Sequence, residues 1–235
     1  MINGKWIWMS HVLDETTPAY ANGNGLQIIP DKQIINGDSC NTSLIKMPCH
    51  LGSHVDAPKH FIADGLPIHT YAPEEWIFNF PYIIDVSVVD KSRLLLPACL
   101  KSIPQNLIVK NQSIDFLFIK TGFSAYRSKS VYWEKGPGLS LALSRAIVEL
   151  FPNIKGIGMD FISVSSLKYR DEGRNTHRFL LGKGVRLFED LTLENLNKNM
   201  TLSQIIALPL RVSELDGAPC TVMGLSIGND NSKYN

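Results

Sequence analysis

The segment His50-Leu51-Gly52-Ser53-His54-Val55-Asp56-Ala57-Pro58-Lys59-His60-Phe61 constrains the fold more than any other stretch of the chain. It places three of the six histidines and a carboxylate within eleven residues. Histidine nitrogens and carboxylate oxygens are the usual ligands of zinc, manganese and iron. On a straight strand His50 and His54 would share a face but stand ~13 Å apart, too far for one ion to reach both. An i, i+4 pair on a helix is close enough, yet Gly52 within the segment and Pro58 beyond it oppose a long helix. The spacing therefore predicts a bend at Gly52 and Ser53 that turns His50, His54 and Asp56 inward. The plainer alternative is a surface loop rich in histidine, or histidines satisfied by backbone hydrogen bonds.

The remaining sequence supplies a frame for such a bend. Short β-rich runs at residues 5–9, 27–29, 43–47, 82–89, 116–120, 156–159, 185–188 and 204–208 are bounded by Gly, Pro, Asn or Asp, the usual punctuation of strands. Residues 139–151 carry apolar side chains at helical spacing, with Ser140 as a cap and Pro152 behind them. A second helix is predicted over 175–181, ending at Gly182 and Gly184. Many strands with few helices predict a mixed α/β or α+β class. At 235 residues the chain can bury well over half of its unfolded surface without a staple. One domain over 1–228 is expected, followed by a flexible Asn- and Ser-rich tail at 229–235.

Composition narrows the function. Lys plus Arg number 23 against 22 Asp plus Glu, a net charge of +1, which offers no clustered cation surface for a phosphate backbone. A nucleic-acid partner is not expected; a small-molecule substrate is. The longest apolar runs fall far short of the roughly 20 residues that span a bilayer, so no membrane association is expected either. The N-terminal residues lack the apolar core of a signal peptide. Four scattered cysteines form no CxxC pair, and we expect reduced, mostly buried thiols in a cytoplasmic protein. There is no GxSxG elbow and no dinucleotide-binding glycine pattern, and Cys49 beside His50 has no mark of an activated thiolate. Covalent catalysis and nucleotide cofactors are not indicated.

The His50–Phe61 segment resembles the HxGTHxDxPxH motif of the cyclase family of metal-dependent hydrolases, which includes bacterial kynurenine formamidase (arylformamidase) and isatin hydrolase. Ser53 replaces the family's Thr and keeps the hydroxyl. WMSHVLDETTPAY, FIKTG at 118–122, GPGLS at 136–140, GIGMDFISVSS at 156–166, THRFLLGKGVRLFEDLTLENL and DGAPC near the end resemble further family segments in the same order. The resemblance implies a single α/β domain of the swivelling β/β/α type, with a barrel-like mixed sheet and a few packed helices. It also implies a homodimer or homotetramer whose N-terminal segments help to close neighbouring pockets.

Carried over position by position, the resemblance implies two divalent metals per chain, zinc first and manganese or iron as alternatives. His50 and His54 would hold the first metal. Asp56 would bridge to the second, His177 would complete that site, and Glu189 would bridge or cap both. His60 would stay free as the catalytic proton shuttle. The implied reaction is water-driven hydrolysis of an amide, cyclic amide or ester. The arylformamidase type, N-formylkynurenine to kynurenine and formate, comes first, and isatin-like or lactone opening is the alternative. A catalytically silent binding protein on the same scaffold is the non-enzymatic alternative. Tyr20, Trp76 and Phe80 are candidates to line an aromatic-tolerant pocket, with Trp133 beside them. Asp160 and Ser53 are candidates to support the ligands from behind. His11 is expected to order the N-terminal segment and His69 to be a loop residue. Trp6 and Trp8 alternate on a predicted strand and suit core, subunit or ligand contact. The chain departs from the common pattern at AYANGNG and at Thr221, positions that bear on the substrate rather than on the ligands.

Overall fold

Strands far outnumber helices in the computed structural model, which describes residues 4–86, 94–103, 113–196 and 200–227. The expected tail at 229–235 and the end of the predicted 82–89 strand lie outside the described residues. In chain order the strands are β1 (Lys5–Trp8), β2 (Gln27–Lys32), β3 (Thr42–Lys46), β4 (His54–Asp56), β5 (Ile77–Phe78), β6 (Pro81–Asp85), β7 (Leu94–Leu95), β8 (Phe116–Lys120), β9 (Gly138–Leu139), β10 (Gly156–Met159), β11 (Arg186–Glu189), β12 (Leu202–Pro209) and β13 (Gly217–Ser226). The α-helices are α1 (Val131–Glu134), α2 (Leu141–Leu150) and α3 (Arg170–Gly182).

Nine strands build one sheet in the order β5-β12-β13-β4-β11-β10-β8-β6, with β1 also paired to β13. Strands β6, β8, β10 and β11 run parallel, joined by crossovers that contain α2 and α3. The two ends of this order, β5 and β6, are neighbours in the chain, separated only by Asn79 and Phe80. The sheet therefore curls round until its edges meet, giving a nearly closed barrel. Asp115 secures that corner by accepting hydrogen bonds from the backbone N–H groups of Asn79 and Phe80. Gln204 of β12 donates to Asn79 from the other edge.

Period-2 alternation sorts the side chains into two cores. Phe116 and Phe118 point into the barrel with Phe78, Phe188, Val55 and Val222. Leu117, Ile119, Ile157 and Leu187 face the helices and pack with Leu143, Ile147 and Leu180. Each such side chain, fully removed from water, contributes roughly 1.5–3 kcal/mol of transfer free energy.

Helix α2 begins where its sequence indicates, with the Ser140 hydroxyl accepting from the Leu143 N–H. Helix α3 starts at Arg170 rather than at residue 175, with Asp171 and Glu172 in a first turn where acidic side chains suit the helix dipole. The longest strand, β13, has no counterpart among the predicted runs because Gly217, Pro219 and Gly224 break its pattern. Pro219 is tolerated there because its carbonyl, accepting from Leu210 N–H, is the group that pairs. Trp6 and Trp8 are 44% and 64% exposed on β1, so neither is core. Among the described residues no helix is long and apolar enough to cross a membrane. None of the four cysteines is paired, and only Cys220 is buried, against the expectation for most of them.

Candidate metal centre

The predicted bend is present at Gly52, whose φ of +65° is strained for any side chain, and whose missing Cβ would lie 2.2 Å from the Leu13 side chain. Beyond the bend the chain enters β4. There His54 and Asp56 point to the helix side of the sheet while Val55 points into the barrel. Strand β11 runs antiparallel beside it, with Glu189 opposite His54. Helix α3 crosses above and lowers His177 onto the same spot.

Four side chains converge there, all buried. His54 Nε2 lies 3.4 Å from Asp56 Oδ1 and 3.4 Å from Glu189 Oε2. His177 Nε2 lies 3.5 Å from Asp56 Oδ2 and 3.4 Å from Glu189 Oε1. The opposite ring nitrogens are committed elsewhere: His54 Nδ1 bonds the Gly52 carbonyl and His177 Nδ1 the Gly173 carbonyl, each at 2.8 Å. Both Nε2 atoms are thereby aimed at the two carboxylates. Glu189 is braced by the Val164 N–H at 2.7 Å and the Ser163 hydroxyl at 3.1 Å.

The donor set fits a divalent cation. The Nε2-to-oxygen separations are too long for good hydrogen bonds, and match the roughly 3–3.5 Å between neighbouring ligands bound at about 2.0–2.2 Å to one ion. Asp56 Oδ2 is buried without a hydrogen-bond partner, which is costly unless a cation answers it. Protonation shows the same demand. Burial opposes the charged form of His54, yet contact with Asp56 and Glu189 outweighs it and raises its pKa to about 10. The same competition raises His177 to about 9. Burial likewise opposes ionisation of Asp56 and Glu189, and the imidazoles overcome it, holding both carboxyls below their ordinary values.

His50 and His60 stand to one side. His50 bridges Asp56 Oδ1, 2.8 Å from Nδ1, and Asp216 Oδ2, 2.9 Å from Nε2. His60 stacks on His50 with ring centroids 3.9 Å apart and directs Nδ1 to Asp216 Oδ2 at 2.8 Å. Burial holds the His60 pKa below the ordinary imidazole value. The structure thus groups His54 with His177 around both carboxylates, and places His50 between Asp56 and Asp216. Asp216, the first residue of DGAPC, joins the site although the expectations from sequence do not include it. A carboxylate followed by Gly217 was the available signal, because a Cβ at Gly217 would stand 2.5 Å from the His50 ring.

Several expected positions fall elsewhere. Trp76 is buried at the barrel, its ring 5.2 Å from the Arg186 guanidinium, because the 3-10 turn that ends at Trp76 leads into β5 and packs it with the inner aromatic side chains. Phe80 sits 55% exposed at the β5–β6 corner. Asp160 meets no site histidine and instead accepts from Thr121 N–H, Thr121 Oγ1 and Gly122 N–H. The bracing expected of Asp160 comes from Ser163, Val164 and Ser165 of the same segment. Ser53 donates to the carbonyl of Asp190, the residue after Glu189, and accepts from His11 N–H. Asp190 itself holds φ at +51° under a half-buried Arg127 fork and the Tyr132 hydroxyl. Tyr20 does line the cavity above the four converging side chains, together with Phe61 and Ile162. Trp133 borders a separate one.

Comparison with known proteins bears on the family and the fold. A family model described as "Putative cyclase" matches residues 7–166. Cyclase-like protein 2 of Oryza sativa subsp. japonica is 27% identical over 209 residues, 84% of this chain and 70% of that protein. A kynurenine formamidase of Bacillus cytotoxicus is 28% identical over 187 residues, 77% of this chain and 78% of that protein. The structure of isatin hydrolase A from Labrenzia aggregata superposes with a TM-score of 0.77 at 20% identity, covering 95% of this chain and 94% of that one.

Proposed function

The chain belongs to the cyclase family, and on that premise we propose that it is a metal-dependent hydrolase of amide, cyclic amide or ester bonds. The observation that carries the reading is the convergence of His54, His177, Asp56 and Glu189 on one spot, with Asp56 Oδ2 left unanswered. These four residues, with His50 on the outer side of Asp56, would hold one or two divalent ions, zinc first and manganese or iron as alternatives. A divalent ion in such a site supplies Lewis acidity, lowering the pKa of water and polarising a carbonyl.

The rest of the chemistry falls to the protein. His60 is the proton carrier: its Nδ1–H is committed to Asp216, so Nε2 is the nitrogen that takes a proton from the attacking water and returns it to the leaving nitrogen. A lowered pKa keeps that imidazole neutral, and able to accept, at neutral pH. Asp216 fixes the tautomer. Water adds its oxygen to the carbonyl carbon, the C–N bond breaks, and the amine leaves with the proton that His60 carried. Tyr20, Phe61 and Ile162 supply an apolar wall for the substrate body.

The preferred substrate type is an aryl formamide, as for the Bacillus cytotoxicus relative. A cyclic amide of the isatin kind is the second reading, favoured by the close superposition on isatin hydrolase A. Elemental analysis of the purified protein, run beside a metal-supplemented assay on N-formylkynurenine, isatin and an aryl ester, tests both. Metal bound and one compound cleaved is expected. Wild-type metal content in a His54→Ala, Asp56→Ala double variant would overturn the assignment of the site.

The protein is also read as a cytoplasmic homodimer or homotetramer. The β2–β3 ribbon is exposed along its whole length and carries Ile28, Ile29, Leu44 and Ile45 on its surface. Apolar side chains at that density suit contact with a second copy of the chain. Sedimentation of the purified protein is expected to give a dimer or tetramer, and a monomer at micromolar concentration would exclude this.

A further inference from the structure

Helix α3 presents three side chains to the cavity, Arg170, Arg174 and His177, at i, i+4 and i+7 on one face. His177 reaches the floor. The two arginines lie roughly one and two turns nearer the N-terminus of the helix, so they stand at the mouth, on the order of 5–10 Å along the axis from His177. The cavity measures about 320 Å³, small enough that one bound molecule would touch floor and mouth together.

The charge of the mouth is positive. Of the acidic side chains at the cavity, Glu189 and the adjoining Asp56 lie buried at the floor, each beside the Nε2 atoms of His54 and His177. Arg174 Nη1 bonds Asp171 Oδ1 at 2.7 Å, but that carboxylate is 91% exposed. An exposed pair of this kind is held only weakly in water, and the other donors of the guanidinium stay available. Two planar forks above an apolar wall match a carboxylate attached to a flat ring, because a guanidinium binds a carboxylate through two parallel N–H···O bonds.

We propose that Arg170 and Arg174 form an anion subsite that selects substrates bearing a carboxylate on the aryl side of the scissile bond. The inference rests on the hydrolase reading for what becomes of the substrate, though not for its binding. Both arginines are specificity residues: they touch the substrate away from the reacting atoms.

The test compares the metal-loaded wild type with R170Q/R174Q at equal metal content, checked by elemental analysis. Two readouts are taken: kcat/KM for N-formylanthranilate against formanilide, which differ only in the carboxylate, and the calorimetric Kd of benzoate. Wild type is expected to prefer the anionic amide at least tenfold. In the variant that preference should fall to threefold or less, through KM, and benzoate should bind at least tenfold more weakly. R170K/R174K, which keeps the charge but not the fork, should retain part of the preference. If neither amide is cleaved but benzoate binding still depends on the arginines, the subsite stands and the aryl-formamide reading falls. If both proteins cleave the two amides with the same preference, or bind benzoate equally, the subsite is overturned and the hydrolase reading survives.

Discussion

Asp216 Oδ2 stands 2.8 Å from His60 Nδ1, tying the proposed proton carrier to a residue more than 150 positions further along the chain. The same oxygen lies 2.9 Å from His50 Nε2, so one carboxylate anchors both rings. Burial opposes its ionisation, but the two imidazoles pull its pKa down to about 2. It is therefore a carboxylate throughout the working range.

Asp216→Asn removes that charge while keeping the shape. The His60 ring is then free to turn and to place its proton on the wrong nitrogen. We expect kcat to fall roughly 10- to 100-fold, the usual cost of losing an outer-shell partner, with KM changed less than about threefold. Metal content should be measured alongside, because His50 shares the carboxylate. An unchanged kcat at full metal content would remove Asp216 from the mechanism.

Metal uptake should release protons. In the metal-free protein His50, His54 and His177 have pKa values raised to about 11, 10 and 9, so all three carry protons at neutral pH. A ligating nitrogen must lose its proton, and affinity therefore weakens as pH falls. The same shifts act on stability. A histidine whose folded pKa is raised stabilises the fold fully below its unfolded pKa and loses that contribution as pH rises through the folded value. The Tm of the metal-free protein should fall as pH rises from about 6.5, the ordinary imidazole value, to about 11, while the metal-loaded protein, with no such protons to lose, should hold level. Calorimetry in buffers of different ionisation enthalpy reads the released protons; zero release at pH 7 would contradict the ligand assignment.

Gly173→Ala sets two effects against each other. Alanine within a helix is favoured over glycine by ~1 kcal/mol. Here the new Cβ would stand 2.6 Å from Ser165 Cα and 2.2 Å from its Oγ, and forcing apart two packed segments costs ~1–3 kcal/mol. The clash should win. It should also disturb His177, whose Nδ1 is held by the Gly173 carbonyl. Urea denaturation should show net destabilisation and a metal titration weaker binding, whereas a gain in stability would mean that the loop at Ser165 yields freely.

Trp76→Phe separates core from pocket. Trp76 is 4% exposed and lies between Arg186 and the aromatic rings of the barrel. Arg186 has its Nε and Nη1 bonded to the Lys155 and Glu75 carbonyls and depends on those rings for cover. The smaller ring should cost ~1–3 kcal/mol of stability and leave KM within about twofold. A KM shift beyond fivefold without loss of stability would return Trp76 to the substrate pocket.

Local features were legible in the residues themselves. Strand runs at 116–120 and 156–159, the Ser140-capped helix and the bend at Gly52 depend on neighbours a few residues away, and each appears as its residues imply. The crowding of His50, His54, Asp56 and His60 marked out a donor cluster that fits a divalent metal. Which side chains meet depends instead on how distant segments pack. His54 faces Glu189 because β4 and β11 pair in one particular antiparallel register, and a shift of one residue would turn Glu189 into the barrel. Asp216, Ser163 and Arg174 reach the site from three separate elements, and no spacing along the chain records that approach. Trp76 and Phe80 illustrate the converse. As aromatics they suited a pocket, but the closing of the sheet at β5 and β6 buried one and exposed the other, because curvature is set by the whole barrel rather than by either residue.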